Sequence, residues 1–148
     1  MLHVIRDLSD NLLNLIKDDP VRPEIPVEQR VNENSRIFVL KNDQGEALAV
    51  TCVKFLADIP ATVEDLADRV VNTNTAVFYT IWSYAAGAGR TLIEEAQQWI
   101  QQERPEVEVY VTLSPKTEMA RKFHHKNGAT TFRENPDTVN YLYGKSAD

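Results

Sequence analysis

The longest stretch without a charged residue separates Arg69 from Arg90, and it constrains the fold more than any other feature. A membrane helix needs about 20 mostly apolar residues. This stretch instead carries asparagine, threonine and serine side chains and ends in glycines. Residues 75–83 within it are rich in β-branched and aromatic side chains, which favour a strand, and their nearly continuous apolar character is typical of the centre of a sheet. The stretch therefore predicts a buried strand that runs into a loop, and not a membrane span.

Composition narrows the class of protein further. The 148 residues suit one domain, residues 1–148, and the net charge of −6 argues against a nucleic-acid partner, which requires a basic surface. Cys52 is the only cysteine, which excludes a disulfide scaffold. With only three histidines in addition, no metal site is expected. The first residues do not resemble a signal peptide, so we expect a cytoplasmic protein.

Hydrophobic patterning and turn residues predict the element order β-α-β-β-β-α-β-α-β-β. The predicted strands are residues 2–6, 36–40, 47–55, 75–83, 107–113, 130–133 and 139–143. The predicted helices are one capped by Ser9 that ends at Asp18, one over residues 87–102, and one that begins at Ser114-Pro115, with Ser114 as N-cap, and ends at Asn127-Gly128. We expect an α/β (α+β) fold with a mixed central sheet, in which an antiparallel N-terminal hairpin precedes a parallel β-α-β core with flanking helices.

Small residues fill the turn between the predicted central strand and the next helix, in the sequence Tyr84-Ala85-Ala86-Gly87-Ala88-Gly89-Arg90. Such a turn lets a ligand approach the backbone, and the free N–H groups at a helix N-terminus attract a phosphate. Arg90 adds a positive charge. The alternative interpretation is a tight strand-to-helix turn that needs small residues for packing alone.

This order of motifs resembles the GNAT superfamily of acyl-CoA-dependent N-acyltransferases. In that family the loop reads Arg/Gln-x-x-Gly-x-Gly/Ala, and here Gly87 and Gly89 match while Tyr84 replaces Arg/Gln. A later helix of the family reads Ala-x-x-Leu-Tyr-x-x-x-Gly-Phe, which residues 120–129 follow with His124 at the tyrosine and Ala129 at the phenylalanine. The resemblance covers residues 35–143 and is strongest over residues 75–129.

The resemblance implies a GNAT-like fold and a mechanism. Acetyl-CoA or another short acyl-CoA would be the co-substrate, held by residues 84–90, with Ser114 as a further contact. A small-molecule or peptide amine would attack the thioester directly, with a backbone N–H of residues 79–83 polarising the carbonyl. His124 would protonate the leaving thiolate, whereas its neighbour His125 would point to solvent.

Other assignments stay open at this stage. Asp58, Glu64 and Asp65 are candidates for the base, and the acidic residues 58–68 favour a cationic amine. A basic cluster could meet the adenosine phosphates of the co-substrate; its members are Lys116, Arg121, Lys122 and Lys126. The oligomeric state is open, with a homodimer as one option, and neither nucleic acid nor membrane is expected as a partner.

Two rival functions remain beside the acyltransferase. The first is a catalytically degenerate module that binds CoA or a protein partner, which the departures at Tyr84 and Ala129 favour. The second is an acyl-CoA decarboxylase, because Phe78-Tyr79-Thr80-Ile81 and Thr112-Leu113-Ser114-Pro115 resemble short stretches of malonyl-CoA decarboxylases. Those enzymes are much longer, and the C-terminal histidine region that they use has no counterpart in this sequence.

Overall fold

The computed structural model describes residues 1–67 and 70–144, and the described strands form one eight-stranded mixed sheet. The strands are β1 (Leu2–Ile5), β2 (Ser35–Lys41), β3 (Ala47–Leu56), β4 (Thr75–Ser83), β5 (Val109–Thr112), β6 (Ser114–Pro115), β7 (Thr130–Glu134) and β8 (Thr138–Tyr143). The helices are α1 (Ala88–Glu103) and α2 (Glu118–Lys126), with short 3-10 helices at Asn11–Asp18, Val27–Gln29 and Glu64–Ala67. Within the described residues, no helix is long and apolar enough to cross a membrane.

The sheet runs in the order β1-β2-β3-β4-β5-β8. Neighbouring strands are antiparallel except for β4 and β5, which run parallel on either side of the α1 crossover. Strand β8 pairs with β5 and then β6 along one edge and with β7 along the other. The predicted α/β class, the antiparallel hairpin and the parallel β-α-β core are therefore confirmed.

Two apolar layers cover the two faces of the sheet. Helix α1 packs on one face because its apolar side chains recur at helical spacing, and Leu92, Ile93, Ala96 and Ile100 are buried there. The other face buries Val77, Tyr79 and Trp82 of β4, and partly buried apolar side chains of the 3-10 helix at Asn11–Asp18 pack against this layer. Strand β4 lies between both layers, which explains its nearly continuous apolar sequence.

The predicted helix caps at Ser114 and Ser9 are wrong. Ser114 belongs to β6, where it pairs with Val139, and the side chain of Thr117 caps α2 instead by accepting from the Ala120 N–H. Ser9 binds the Asp7 carboxylate, which leaves Asp10 to cap the first helix. In each case the serine hydroxyl bonds another side chain instead of capping a helix. The Ser114 hydroxyl donates to Thr112 Oγ1 at 2.8 Å, and the Ser9 hydroxyl donates to the Asp7 carboxylate.

Candidate active site

Strands β4 and β5 separate after a short parallel pairing. The pairing ends where Phe78 lies opposite Thr112, and the Leu113 N–H makes one further bond, to the Phe78 carbonyl. Strand β4 continues to Ser83, whereas the chain after Thr112 moves over to pair with β8 as β6. A cleft of about 440 Å³ opens between them, lined also by α2 and by Pro20 and Val21.

A bulge in β4 lies at the point of separation. Cys52 of β3 pairs with Thr80 and Val53 pairs with Phe78, so Tyr79 is the extra residue. The bulge shifts the alternation of side chains, and both Tyr79 and Thr80 face the layer opposite α1. The Thr80 hydroxyl donates to Asp19 Oδ1 at 2.8 Å. The backbone of residues 79–83 is left without a strand partner on the cleft side among the described strands.

Where β5 ends, side-chain hydrogen bonds take the place of the backbone hydrogen bonds between strands. The Asn140 amide donates to the Thr112 carbonyl at 2.8 Å and to the Pro60 carbonyl at 2.9 Å. The Thr112 hydroxyl accepts from the Tyr141 N–H at 3.0 Å and from the Ser114 hydroxyl. Buried backbone groups that lose a strand partner are costly unless another group pairs with them, so these bonds stabilise the open cleft. Ser114 lines the cleft as part of this arrangement.

The loop before α1 leaves the N-terminus of the helix without a side-chain cap. Gly87 is the N-cap of α1 and has a φ of +78°, which a side chain would strain, and no side chain caps the helix there. The Arg90 guanidinium, however, forms an exposed ion pair with Glu94. The Tyr84 hydroxyl donates to Asp18 and accepts from the Trp82 indole N–H. Ala85, Ala86 and Ala88 complete the loop, and of these three Ala88 is buried.

Gly89 has a packing role in addition to any role in binding. A Cβ atom added there would lie 2.9 Å from Cζ and 3.0 Å from Cε1 of the Phe123 ring on α2. The absence of a side chain therefore lets α2 approach the first turn of α1. Both residues line the cleft, so this contact forms its wall between the two helices.

His124 lines the cleft and is 4% exposed. Its Nδ1 atom is 2.6 Å from the Tyr143 hydroxyl, and its ring stacks on Tyr141. Burial, and secondarily the neighbouring His125, lowers the pKa of His124 to about 4, so the ring is neutral at pH 7. His125 is exposed and bonds the Thr131 hydroxyl, as the sequence predicts for a ring that points away from the core.

The predicted acidic residues lie outside this cleft. Asp58 and Asp65 line a separate cavity of about 240 Å³, and Glu64 is in the 3-10 helix Glu64–Ala67. Asp68 lies outside the described residues. No aspartate or glutamate is present among the described residues that line the β4–β5 cleft. In the basic cluster, Lys116 donates to the Asn135 carbonyl and Arg121 pairs with Glu118.

Solved structures with this topology divide into two groups. Malonyl-CoA decarboxylase from Cupriavidus metallidurans superposes with a TM-score of 0.74 at 18% identity, covering 98% of this chain and 60% of that chain. Tetrahymena GCN5 superposes with a TM-score of 0.63 at 13% identity, covering 97% and 96%. Arabidopsis thaliana NAA60, solved in complex with acetyl-CoA, gives 0.63 at 15% identity, covering 97% and 99%.

The chain has the GNAT fold. Both resemblances stated from the sequence are thereby confirmed at the level of the fold. This GNAT-fold chain spans only 60% of the length of the Cupriavidus decarboxylase. No protein-family model matches the sequence, and no curated protein matches it in sequence.

Sequence reasoning missed the buried charges beside the cleft. Asp19, Arg22 and Arg30 lie in a proline-rich segment that reads as an irregular connection, yet all three are buried. Asn140, which bridges the end of β5, was also missed because it reads as one polar residue within a strand. The sequence feature that could have pointed to this segment is the Asp19-Pro20 pair, because a carboxylate that precedes proline favours the start of a turn.

Proposed function

We propose that the protein binds an acyl-CoA thioester in the β4–β5 cleft and transfers a short acyl group to an amine. The observation that carries this proposal is the separation of two parallel strands beside the uncapped N-terminus of α1. The apolar cleft suits an extended, largely uncharged arm, and the helix N-terminus suits a phosphate. The GNAT fold of the acetyl-CoA complex of NAA60 supports the same assignment.

The residues present fit such a ligand. Residues 84–90 would hold its pyrophosphate, since no side chain caps the N-terminus of α1 at Gly87. The unpaired edge of residues 79–83 would donate an N–H to the thioester carbonyl. Ser114 and Thr117 supply hydroxyls on the opposite wall. Bound acyl-CoA would supply an activated carbonyl to which the amine nitrogen bonds while the bond from carbon to sulfur breaks.

We propose His124 as the group that faces the leaving sulfur. Because its pKa is about 4, the imidazolium form is scarce at pH 7, and the neutral ring would act by donating Nε2–H while Nδ1 accepts from the Tyr143 hydroxyl. A thiol has an ordinary pKa of about 8.5, so its thiolate leaves with little further help. The proton of the amine then passes to solvent, consistent with a cleft lined by no described carboxylate.

Two substitutions that each introduce one negative charge test the site. Ala86 is exposed on the loop, so Ala86→Glu adds a negative charge beside the proposed pyrophosphate without touching Phe123, whereas Gly89→Glu would also clash with that ring. Gln98→Glu places the same charge on an exposed position of α1 farther along the helix and is the matched control. Ligand at 100 times its dissociation constant stabilises a protein by about 2.7 kcal/mol, which corresponds to a rise in Tm of about 5–10 °C.

Wild type and Gln98→Glu should show this rise with acetyl-CoA, and Ala86→Glu should not. Consumption of acetyl-CoA with a panel of cationic and neutral amines then tests transfer. Binding without turnover on any amine would support the degenerate CoA-binding module. A wild type that is stabilised by no CoA ester would refute the proposal.

The second candidate function is decarboxylation of an acyl-CoA. It is favoured by the superposition on malonyl-CoA decarboxylase, whose TM-score exceeds those of GCN5 and NAA60. The Ser114 hydroxyl lies in the cleft wall, in one of the stretches that carry the resemblance. Release of CO₂ from malonyl-CoA without added amine would support this candidate over acyl transfer.

A further inference from the structure

A buried charged cluster lies beside the cleft, in the same segment as the lining residues Pro20 and Val21. Residues 19–30, here called the 19–30 segment, contribute Asp19 and Arg30, whose side chains are both 0% exposed and paired at 2.7 Å. Asp19 also accepts from the backbone N–H groups of Val21 and Arg22. Arg30 donates in addition to the carbonyls of Ile25 and Arg22. These bonds fix the 19–30 segment internally, although it contains little regular structure.

The 19–30 segment is tied to both sides of the cleft. On one side Asp19 accepts from the hydroxyl of Thr80, which lies in the bulge of β4. On the other side Arg22 donates through Nη2 to the Leu113 carbonyl at 3.1 Å. Leu113 is the residue between β5 and β6, where the chain leaves β4. The segment therefore spans the gap between the two diverging strands and bonds each of them at the point of divergence.

Burying Arg22 lowers the free energy of unfolding in one respect. It is 9% exposed, and its Nε–H has no hydrogen-bond partner within residues 1–67 and 70–144. A buried charged group with an unpaired donor destabilises the folded state, and an apolar replacement of similar size is often neutral or stabilising. Arg30 already neutralises the Asp19 carboxylate. The bond from Arg22 to the Leu113 carbonyl, together with its electrostatic attraction to Glu24 and Asp19, is the contribution that an apolar side chain would not reproduce.

We propose that Arg22 is a positioning residue that sets the separation of β4 and β5 and thereby the affinity of the cleft for its acyl-CoA ligand. The inference rests on the proposed function for the identity of the ligand, but the strand geometry can be tested without one. Arg22 acts through the Leu113 carbonyl and does not line the cleft itself.

The experiment compares two arginines that each have a buried Nε–H without a hydrogen-bond partner among the described residues. Arg22→Met keeps most of the apolar stem and removes the donors. Arg36→Met is the matched control, because Arg36 also donates to backbone carbonyls and also has an unpaired buried Nε–H, but it lies away from the cleft. Dissociation constants for CoA and acetyl-CoA, melting temperatures, and amide hydrogen exchange are measured for wild type and both variants.

Arg22→Met removes an unpaired buried donor but also leaves the buried Leu113 carbonyl without this partner, so we expect it to melt near the wild-type temperature. We expect it to bind the CoA ester about tenfold more weakly and to lose exchange protection at Leu113, Ser114 and Val139. Arg36→Met should bind like wild type and keep protection at these residues. Wild-type affinity together with wild-type protection in Arg22→Met would overturn the inference and leave the proposed function intact. A global loss of protection with a large drop in Tm passes the decision to Arg22→Lys, because Arg22→Met would then report on global stability.

Two further results are decisive. If Arg22→Met does not fold, Arg22→Lys is measured instead, since lysine keeps the charge but not the planar guanidinium. Weaker binding at the wild-type Tm supports the inference, and wild-type binding contradicts it. If wild type binds no CoA ester, the proposed function fails, and the exchange measurement alone decides whether Arg22 positions the chain at Leu113.

Discussion

The contact between Gly89 and Phe123 predicts a measurable coupling between α1 and α2. Gly89 is helical and its φ is not positive, so alanine there should gain about 0.5–1 kcal/mol over glycine from backbone entropy. The new Cβ would lie 2.9 Å from Cζ of Phe123, closer than real Cβ contacts allow. Overpacking of this kind costs about 1–3 kcal/mol. We therefore expect Gly89→Ala to destabilise the protein by about 1 kcal/mol, a drop in Tm of about 2–4 °C.

Replacing the Phe123 ring with a shorter side chain should reverse the sign of the stability change caused by Gly89→Ala. Phe123→Leu removes Cζ and Cε1, the two atoms that the Cβ would meet, and the remaining neighbour is Ile81 Cδ1 at 3.9 Å. In the Phe123→Leu background, Gly89→Ala should then stabilise the fold by about 0.5–1 kcal/mol. Urea unfolding of wild type, both single variants and the double variant gives the coupling energy, which we expect to be about 1.5–2 kcal/mol.

Gly87 provides the control for this cycle. Its φ of +78° strains any side chain, but nothing lies within 4 Å of an added Cβ. Gly87→Ala should therefore cost about 1–2 kcal/mol in both the wild-type and Phe123→Leu backgrounds. If Gly89→Ala also costs the same amount in both backgrounds, the contact with Phe123 does not explain the glycine, and the reasoning is refuted.

Three further predictions concern burial, pairing and capping. The pKa of His124 falls from about 6.5 in the unfolded state to about 4 in the folded state, so the unfolded state takes up a proton first as the pH falls. The contribution of His124 to the free energy of unfolding should therefore be constant above pH 6.5 and fall by about 3 kcal/mol toward pH 4 in urea titrations. A His124→Gln profile equally steep over that window would exclude His124 as the cause. Asp19→Asn should cost about 3–5 kcal/mol by leaving the Arg30 charge buried and unpaired, and a loss under 1 kcal/mol in urea unfolding would contradict this. Thr117→Ala should cost about 1 kcal/mol through loss of the bond to the Ala120 N–H, and an unchanged free energy of unfolding would show that the cap contributes little.

The sheet and its main crossover could be predicted because local pattern and long-range structure agree there. Residues 75–83 are apolar on both faces, and the following helix carries its apolar side chains at helical spacing. Those two signals define a parallel β-α-β unit, which is the part that positions the cleft. The turn at residues 42–45 likewise contains Gly45, whose φ is +81°. Each feature is decided by residues close together in sequence.

The start of α2 could not be predicted in the same way, because the decisive partner is distant. Ser114-Pro115 has the local form of a helix start, but β8 pairs with these residues and converts them into a strand. Thr117, three residues later, is the N-cap of α2 instead. A local propensity was overridden by a strand about 25 residues away in sequence, which single-sequence patterns do not encode.

The cleft could not be predicted, because it depends on how the backbone groups beyond the β4–β5 pairing find hydrogen-bond partners. A parallel pair that stops at Thr112 must satisfy backbone groups which a continuous ladder would have paired. Asn140 and the 19–30 segment supply those partners from distant parts of the chain, one through its amide and the other through the Arg22 guanidinium. Polar groups in such positions look like ordinary strand or loop residues until the fold brings them together. Buried charges that oppose stability are expected at a site where the strands must stay apart, and for that reason the Arg22→Met exchange profile is the most direct test of whether Arg22 positions the chain at Leu113.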